Sequence, residues 1–243
     1  MARFDLVTAN AAIDRLLEVT DEPRHRFMLQ ACYRYRYLQI AGRYQEIFGT
    51  GGTPWQRTYH MQAGRSGVNL KKPANLKNLH RIWAETDQCI FYVDAEEIAV
   101  ADHFIASVAH IRQQVSGQVL TGGRALSHLP YVVAERVISL ASSQNVTPSE
   151  NSMYLYKSVV QMILLYGDRC RLIGEDVWEP DPEKAELIEI GPDDAITTRE
   201  AAAVLAPLIR PLRSYEEVVW GTKPAHPARE TALFPTHHAA VLL

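Results

Sequence analysis

Apolar positions along the chain change their period several times, and each change predicts an element. Between Thr8 and Val19, residues Ala12, Ile13, Leu16 and Leu17 recur at helical spacing, which predicts a short amphipathic helix. Pro23 follows Asp21 and Glu22 and suits the first turn of a second helix. That helix is expected over about Arg24 to Phe48, with Phe27, Ala31, Leu38, Ala41 and Ile47 or Phe48 in the core. Gly49 with Gly51 and Gly52 would end it. In its middle, Tyr33, Tyr37, Ile40 and Tyr44 share one face, while Arg36 and Arg43 share another. Trp55 to Gly64 reads as a strand, Arg65 to Lys72 as a glycine-broken basic loop, and Pro73 as the start of a helix. That helix sets Leu76, Leu79, His80 and Trp83 on one face.

The centre of the pattern is Lys157 to Glu179. Two runs rich in β-branched and aromatic residues flank Gly167 and Asp168, which predicts a β-hairpin. Val159 to Tyr166 is apolar at nearly every position, so both of its faces are expected to be buried. The second run alternates. Strict alternation sets Cys170, Leu172, Asp176 and Trp178 on one face and Arg171, Ile173, Glu175 and Val177 on the other. Each face then carries a carboxylate among apolar neighbours, and burying an ionised carboxylate is costly without a partner. A designed-in role and a strand end emerging into solvent both fit.

Asp94 to Gly117 fits two periods. Asp94 to Glu97 matches a capping box, and Ile98, Ala101, Ile105 and Ala109 fit a helix. As a strand, Asp102, Phe104, Val108, His110 and Arg112 form one face. We expect a helix start that hands over to a long strand near Phe104. Gly122 and Gly123 read as a turn, Tyr131 to Leu140 as a further apolar segment, and Ala185 to Ile190 as a short strand. Thr197 and Glu200 cap a helix through Ile209 that Pro207 and Pro211 disturb. Residues 1–221 are read as one α+β domain, and 222–243, with Pro224, Pro227 and Pro235, as an extended arm.

Composition narrows the classes. With 47% hydrophobic and 22% charged residues, the 243-residue chain has the make-up of a globular protein with a full core. A net charge of −3 without a dense basic run lacks the footprint of a nucleic-acid binder. No apolar run approaches the roughly 20 residues that span a bilayer. The N-terminal stretch lacks the apolar core of a secretory signal, so the cytoplasm is the expected compartment. Cys32, Cys89 and Cys170 are too few and scattered for a disulfide framework or a thiolate metal site. The sequence has no Walker loop, dinucleotide fingerprint, nucleophile elbow or HExxH. His237 and His238, in the proline-rich tail, suit at most adventitious metal binding. No cofactor and no metal is expected.

A long N-terminal helix pair, a strand, a helix and then long strands closing in a hairpin resemble the nuclear transport factor 2-like superfamily. The matching pieces are Arg36 to Phe48 and the hairpin Leu164 to Glu179, and the resemblance covers about residues 24 to 180. It is nearest the SnoaL-like members and scytalone dehydratase. The resemblance implies a curved mixed sheet wrapped around the helices into a cone, whose mouth holds a small apolar ligand. Size and tyrosine and histidine content look like the sphingomonad diarylpropane lyases that act on lignin-derived dimers. Those enzymes use no cofactor. They lose a benzylic hydroxyl to form a quinone methide and then release formaldehyde to leave a stilbene. A dehydratase, a polyketide cyclase, an isomerase and a non-catalytic ligand carrier or scaffold are the rivals on the same fold.

Under that resemblance the candidate residues take roles. His60, Asp102 and His110 would transfer protons, since imidazole gives and takes them near neutrality. Tyr37, Tyr59, Lys72 and Arg112 would hold phenolic or alcoholic oxygens, and Trp55, Trp83 and Phe104 would pack the rings. Tyr59 and His60 are adjacent on a strand, so only one of them can face a given pocket. Lys71 and Lys72, taken alone, read as surface residues, and Tyr44 as core. A homo-oligomer, dimer or trimer, is the expected assembly.

Overall fold

The computed structural model describes residues 5–48, 54–63, 66–70, 73–121 and 138–221, and for 54–63, 66–70 and 73–74 the backbone alone. The expected turns at Gly51–Gly52 and Gly122–Gly123, the apolar stretch up to residue 137 and the arm 222–243 lie outside them. The fold is α+β. Helices α1 (Ala11–Val19) and α2 (Pro23–Ile40) lead, and short α3 (Tyr44–Ile47) follows. After the strands β1 (Pro54–Ala63) and β2 (Ser66–Leu70) comes α4 (Pro73–Glu85). Then β3 (Phe91–Ala101), β4 (Phe104–Ser116), β5 (Met153–Tyr166), β6 (Leu172–Glu179) and β7 (Glu186–Ile190) complete one sheet.

The strand order is β2-β1-β6-β5-β4-β3, with β7 on the first half of β5. All pairs are antiparallel except β1 with β6, so the sheet is mixed. Its inner face carries Ile105, Ala109, Val160 and Leu164, and α2 and α4 supply the packing partners Cys32, Tyr35, Ile40 and Leu76.

Helix α2 starts where Pro23 predicts, with the Glu22 side chain accepting from the His25 N–H. It stops earlier than expected. Gly42 takes φ +65°, and Arg43 N–H and Gly42 N–H bond back to the Leu38 and Gln39 carbonyls at 2.9 and 3.0 Å. This is a left-handed C-terminal cap, so Gly42 does the work expected of Gly49. Buried residues circle α2, from Phe27 and Met28 through Cys32 and Tyr35 to Ile40, as befits a helix enclosed on all sides.

Three other expectations are corrected. Asp94 to Glu97 starts no helix; β3 is a strand running straight into β4 through Asp102 and His103. Ser66–Leu70, read as part of a loop, pairs with β1 as β2. The run Val159 to Tyr166 is buried on one face only, since Val159 is 37% exposed.

Two β-bulges decide which polar side chains turn inward. In β6, Tyr166 pairs with Leu172 and Leu165 with Gly174, so Ile173 is the extra residue. The bulge shifts the phase of alternation, and Leu172 and Glu175, expected on opposite faces, both become buried. In β3 the register slips between Asp94 and Glu97, with Ala95 at φ +48°. There Glu96 turns into the core while Ala95 and Glu97 stay exposed.

Candidate functional site

The buried polar groups of the inner layer form a candidate site between α2, α4 and β6. Tyr35, on α2, is 6% exposed and donates its hydroxyl proton to Glu175 Oε2 at 3.0 Å. Glu175 is itself only 7% exposed. The Tyr35 ring meets His80 of α4 edge-on, with centroids 6.3 Å apart. His80 is also enclosed by Phe48 at 5.2 Å and Trp83 at 5.4 Å. Burial alone drives the His80 pKa down to about 4, so the imidazole is neutral at physiological pH. A neutral imidazole enclosed by aromatic rings thus packs on a phenol that is hydrogen-bonded to a carboxyl group. Chemically, this trio can accept a proton at one end and deliver one at the other.

A second buried carboxyl group lies four residues along β6. Glu179 accepts from Tyr156 Oη and, at 2.5 Å, from Ser158 Oγ, both on β5. Four residues of strand separate it from Glu175 by about 13 Å, so the two carboxyl groups do not act on one atom.

Beside the trio, Cys32 and Tyr166 fill the core under α2. Burial pushes the Cys32 thiol up to about 12, against the opposing pull of Arg36 and with help from Glu96 and Glu175. Tyr166 lies well above the usual phenol range, chiefly through burial and then through Cys32. Cys89 and Cys170 are likewise buried free thiols, raised by burial to about 11 and about 12. None of the three is a nucleophile poised as thiolate.

Of the expected residues whose side chains are described, all but Trp83 lie away from this site. Asp102 sits in the β3–β4 turn, 76% exposed, with His25 Nε2 at 2.9 Å from Oδ1. His110 and Arg112 face outward from the sheet at 61% and 47% side-chain exposure, and both approach Asp94 of β3. Phe104 lies on the same outward face, 41% exposed. The cause is the strand reading itself: alternate β4 residues do share a face, but it is the face away from the helices. Tyr37 is buried, and its hydroxyl donates to the Val7 carbonyl at 2.5 Å, which makes it a core residue tying α2 to the N-terminal turn. Of the expected ring-packing residues, Trp83 does reach the site, against His80. On the backbone of β1, Tyr59 is the register partner of Glu175 and His60 that of Asp176. The side chains of Trp55, Tyr59 and His60 lie outside the described residues, as does Lys72 altogether.

Sequence reasoning passed over Tyr35 and His80, although His80 was placed on the correct face of α4. Glu175 had a signal: a carboxylate alternating with apolar residues in the hairpin. Among the described residues, no group of three His, Cys, Asp or Glu side chains is placed to hold a metal ion. No helix there is long and apolar enough to cross a membrane. No family model, no curated protein and no solved structure matches the chain.

Proposed function

We propose that the chain is a cofactor-independent acid–base enzyme acting on a small aromatic substrate held beside His80, Tyr35 and Glu175. One observation carries this reading: Tyr35 is bonded to Glu175 through its hydroxyl and packed on a neutral, buried His80 through its ring. In this reading the sheet and helices form a nuclear transport factor 2-like cone, supported by the order of elements and by the mixed sheet that carries α2 on its inner face.

The substrate class we infer is a phenolic diarylpropane diol. The phenol donates a hydrogen bond to neutral His80, and its proton passes to the imidazole only as the benzylic hydroxyl leaves, because the ring hydroxyl turns strongly acidic as the quinone methide forms. The Tyr35–Glu175 pair supplies a proton to the benzylic hydroxyl, which leaves as water and gives a quinone methide. The primary hydroxyl then returns a proton to the Tyr35–Glu175 pair, its carbon–carbon bond breaks to release formaldehyde, and those electrons restore the aromatic ring, whose oxygen takes its proton back from His80. One diol yields one stilbene, one formaldehyde and one water, and no external oxidant is consumed. Phe48 and Trp83 supply the aromatic walls.

The test is to incubate the purified protein with such a diol and read formaldehyde together with stilbene absorbance. Turnover is expected, falling about 10²-fold or more in Glu175→Gln with an unchanged circular dichroism spectrum. Turnover of a hydroxylated ketone without formaldehyde would keep the site and make the reaction a dehydration or isomerisation. If no substrate turns over and ligand affinity survives Glu175→Gln and His80→Asn, the chain is a binding or scaffold protein.

A further inference from the structure

Strand β6 turns a second carboxyl group toward the helices. Glu175, Val177 and Glu179 alternate on its inner face, all buried, while Trp178 between them is exposed on the other. Glu179 Oε1 accepts the hydroxyl protons of Tyr156 and Ser158. Tyr156 is buried, but Ser158 keeps part of its surface open. A serine hydroxyl has one proton and two lone pairs. The Ser158 proton is held by Glu179 at 2.5 Å, and among the described residues nothing donates to its oxygen. It is an acceptor turned toward the inner layer.

The ground between the two carboxyl groups is apolar. Leu76, Val160 and Val177 form a buried cluster, and Phe48, Trp83, Ile111 and Met162 pack on it while staying partly exposed. Trp83 also touches the cluster under α2 and the one around Tyr156, and its ring lies 5.4 Å from that of His80. The inner face thus runs from the Tyr35–Glu175–His80 trio, over a partly open apolar strip, to a serine acceptor beside Glu179, about 13 Å along the strand.

We infer that Ser158 reads the far end of the ligand, accepting a hydrogen bond from a hydroxyl on the second ring of a two-ring phenolic molecule whose first ring sits at His80. The identity of that molecule rests on the acid–base reading. Length fits, because two para-hydroxylated rings on a two-carbon bridge hold their outer oxygens about as far apart as the two ends of the strip. Chemistry sets the preference. With its proton engaged by Glu179, Ser158 can only accept, so a free hydroxyl satisfies it. A methyl ether has no proton to give and shuts the acceptor away from water unpaired. Glu179 touches no ligand in this arrangement and acts as a positioning residue, by holding the serine proton.

Two unreactive compounds test this by calorimetric titration into the full-length protein: para,para′-dihydroxystilbene and its mono-methyl ether. Each has a phenol for His80, so without a second reader they bind alike, apart from the about twofold advantage of a symmetric ligand. The wild type is expected to prefer the dihydroxy compound at least about tenfold. In Ser158→Ala, shown by circular dichroism to fold, the preference is expected to shrink to about twofold while the ether binds as before. A wild type that prefers neither compound beyond that symmetry advantage overturns the proposal, and so does one that binds neither. A folded Ser158→Ala that keeps the full preference does the same. Neither compound can lose water or formaldehyde, so the titration does not depend on catalysis. A diol that is not turned over would sink the acid–base reading and leave the Ser158 preference standing; turnover without that preference would sink this proposal alone.

Discussion

Arg36 and Glu96 face each other inside the protein in a two-pronged ion pair, with Nη1 to Oε2 at 2.8 Å and Nη2 to Oε1 at 2.7 Å. Their residues are 6% and 8% exposed, and Arg36 also donates to the Ala9 carbonyl at 2.8 Å. One contact thereby fastens α2 to β3 and to the turn before α1. Burial works against the Arg36 charge, but the Glu96 carboxylate outweighs it and holds the guanidinium above its ordinary value. The pair exists because the bulge at Ala95 turns Glu96 inward.

Removing one partner leaves the other charge buried without its counter-ion. Glu96→Ala is therefore expected to cost about 3–5 kcal/mol in urea unfolding. Replacing both partners, Arg36→Met with Glu96→Leu, is expected to cost much less than the sum of the single changes. A double variant as unstable as that sum would show that the two groups are not coupled.

The same bulges explain what the sequence could and could not tell. The helix α2, the hairpin β5–β6, β7 and the capping box at Thr197 follow from local signals: a proline at a helix start, a period of two, a Thr and Glu three apart. Which face of β6 carries Glu175 depends on one unpaired residue, Ile173, whose effect no count of alternation reveals. Strict alternation also set Phe104, His110 and Arg112 together correctly, yet gave no sign that theirs was the outward face. An inward Glu175 beside Tyr35 needs α2 laid across the sheet, a long-range arrangement that follows from packing rather than from neighbouring residues.

His80 makes stability depend on pH. Its pKa is about 4 in the folded protein and about 6.5 in the unfolded chain, so the unfolded chain binds the proton more readily. Its contribution is fully present above about pH 6.5 and is lost as the pH falls toward about 4, by up to about 3 kcal/mol. Urea midpoints measured across that window should fall with acid in the wild type. In His80→Phe the fall should be shallower, and a wild-type slope unchanged by the substitution would remove His80 as its source.

Tyr35→Phe separates the chemistry from the packing. It keeps the ring that meets His80 and deletes only the O–H that donates to Glu175. Stability is expected to fall by about 1–3 kcal/mol, since a buried acceptor loses a donor. Under the acid–base reading, the maximum rate on a turned-over substrate falls by at least about tenfold while substrate affinity changes little. A rate that matches the wild type in folded Tyr35→Phe would assign the hydroxyl a purely structural part.

Gly42 joins three elements and tolerates no side chain for two independent reasons. Its φ of +65° is a left-handed conformation that costs an alanine about 1 kcal/mol or more. A Cβ there would also lie 2.4 Å from Thr198 Cγ2 and 3.1 Å from Ala84 Cβ, where the end of α2 meets α4 and the helix Thr198–Leu205. Such overpacking adds about 1–3 kcal/mol. Thr198 cannot simply turn away, because its hydroxyl lies 2.8 Å from both the Ala84 carbonyl and Asp87 Oδ1 and donates its one proton there. Gly42→Ala is thus expected to destabilise by about 2–4 kcal/mol. Adding Thr198→Ser deletes the clashing methyl and keeps the hydroxyl, so it should recover the steric part and leave only the backbone part. If Thr198→Ser recovers nothing in the Gly42→Ala background, the whole cost lies in the backbone conformation, and the methyl contact is not what restricts the position.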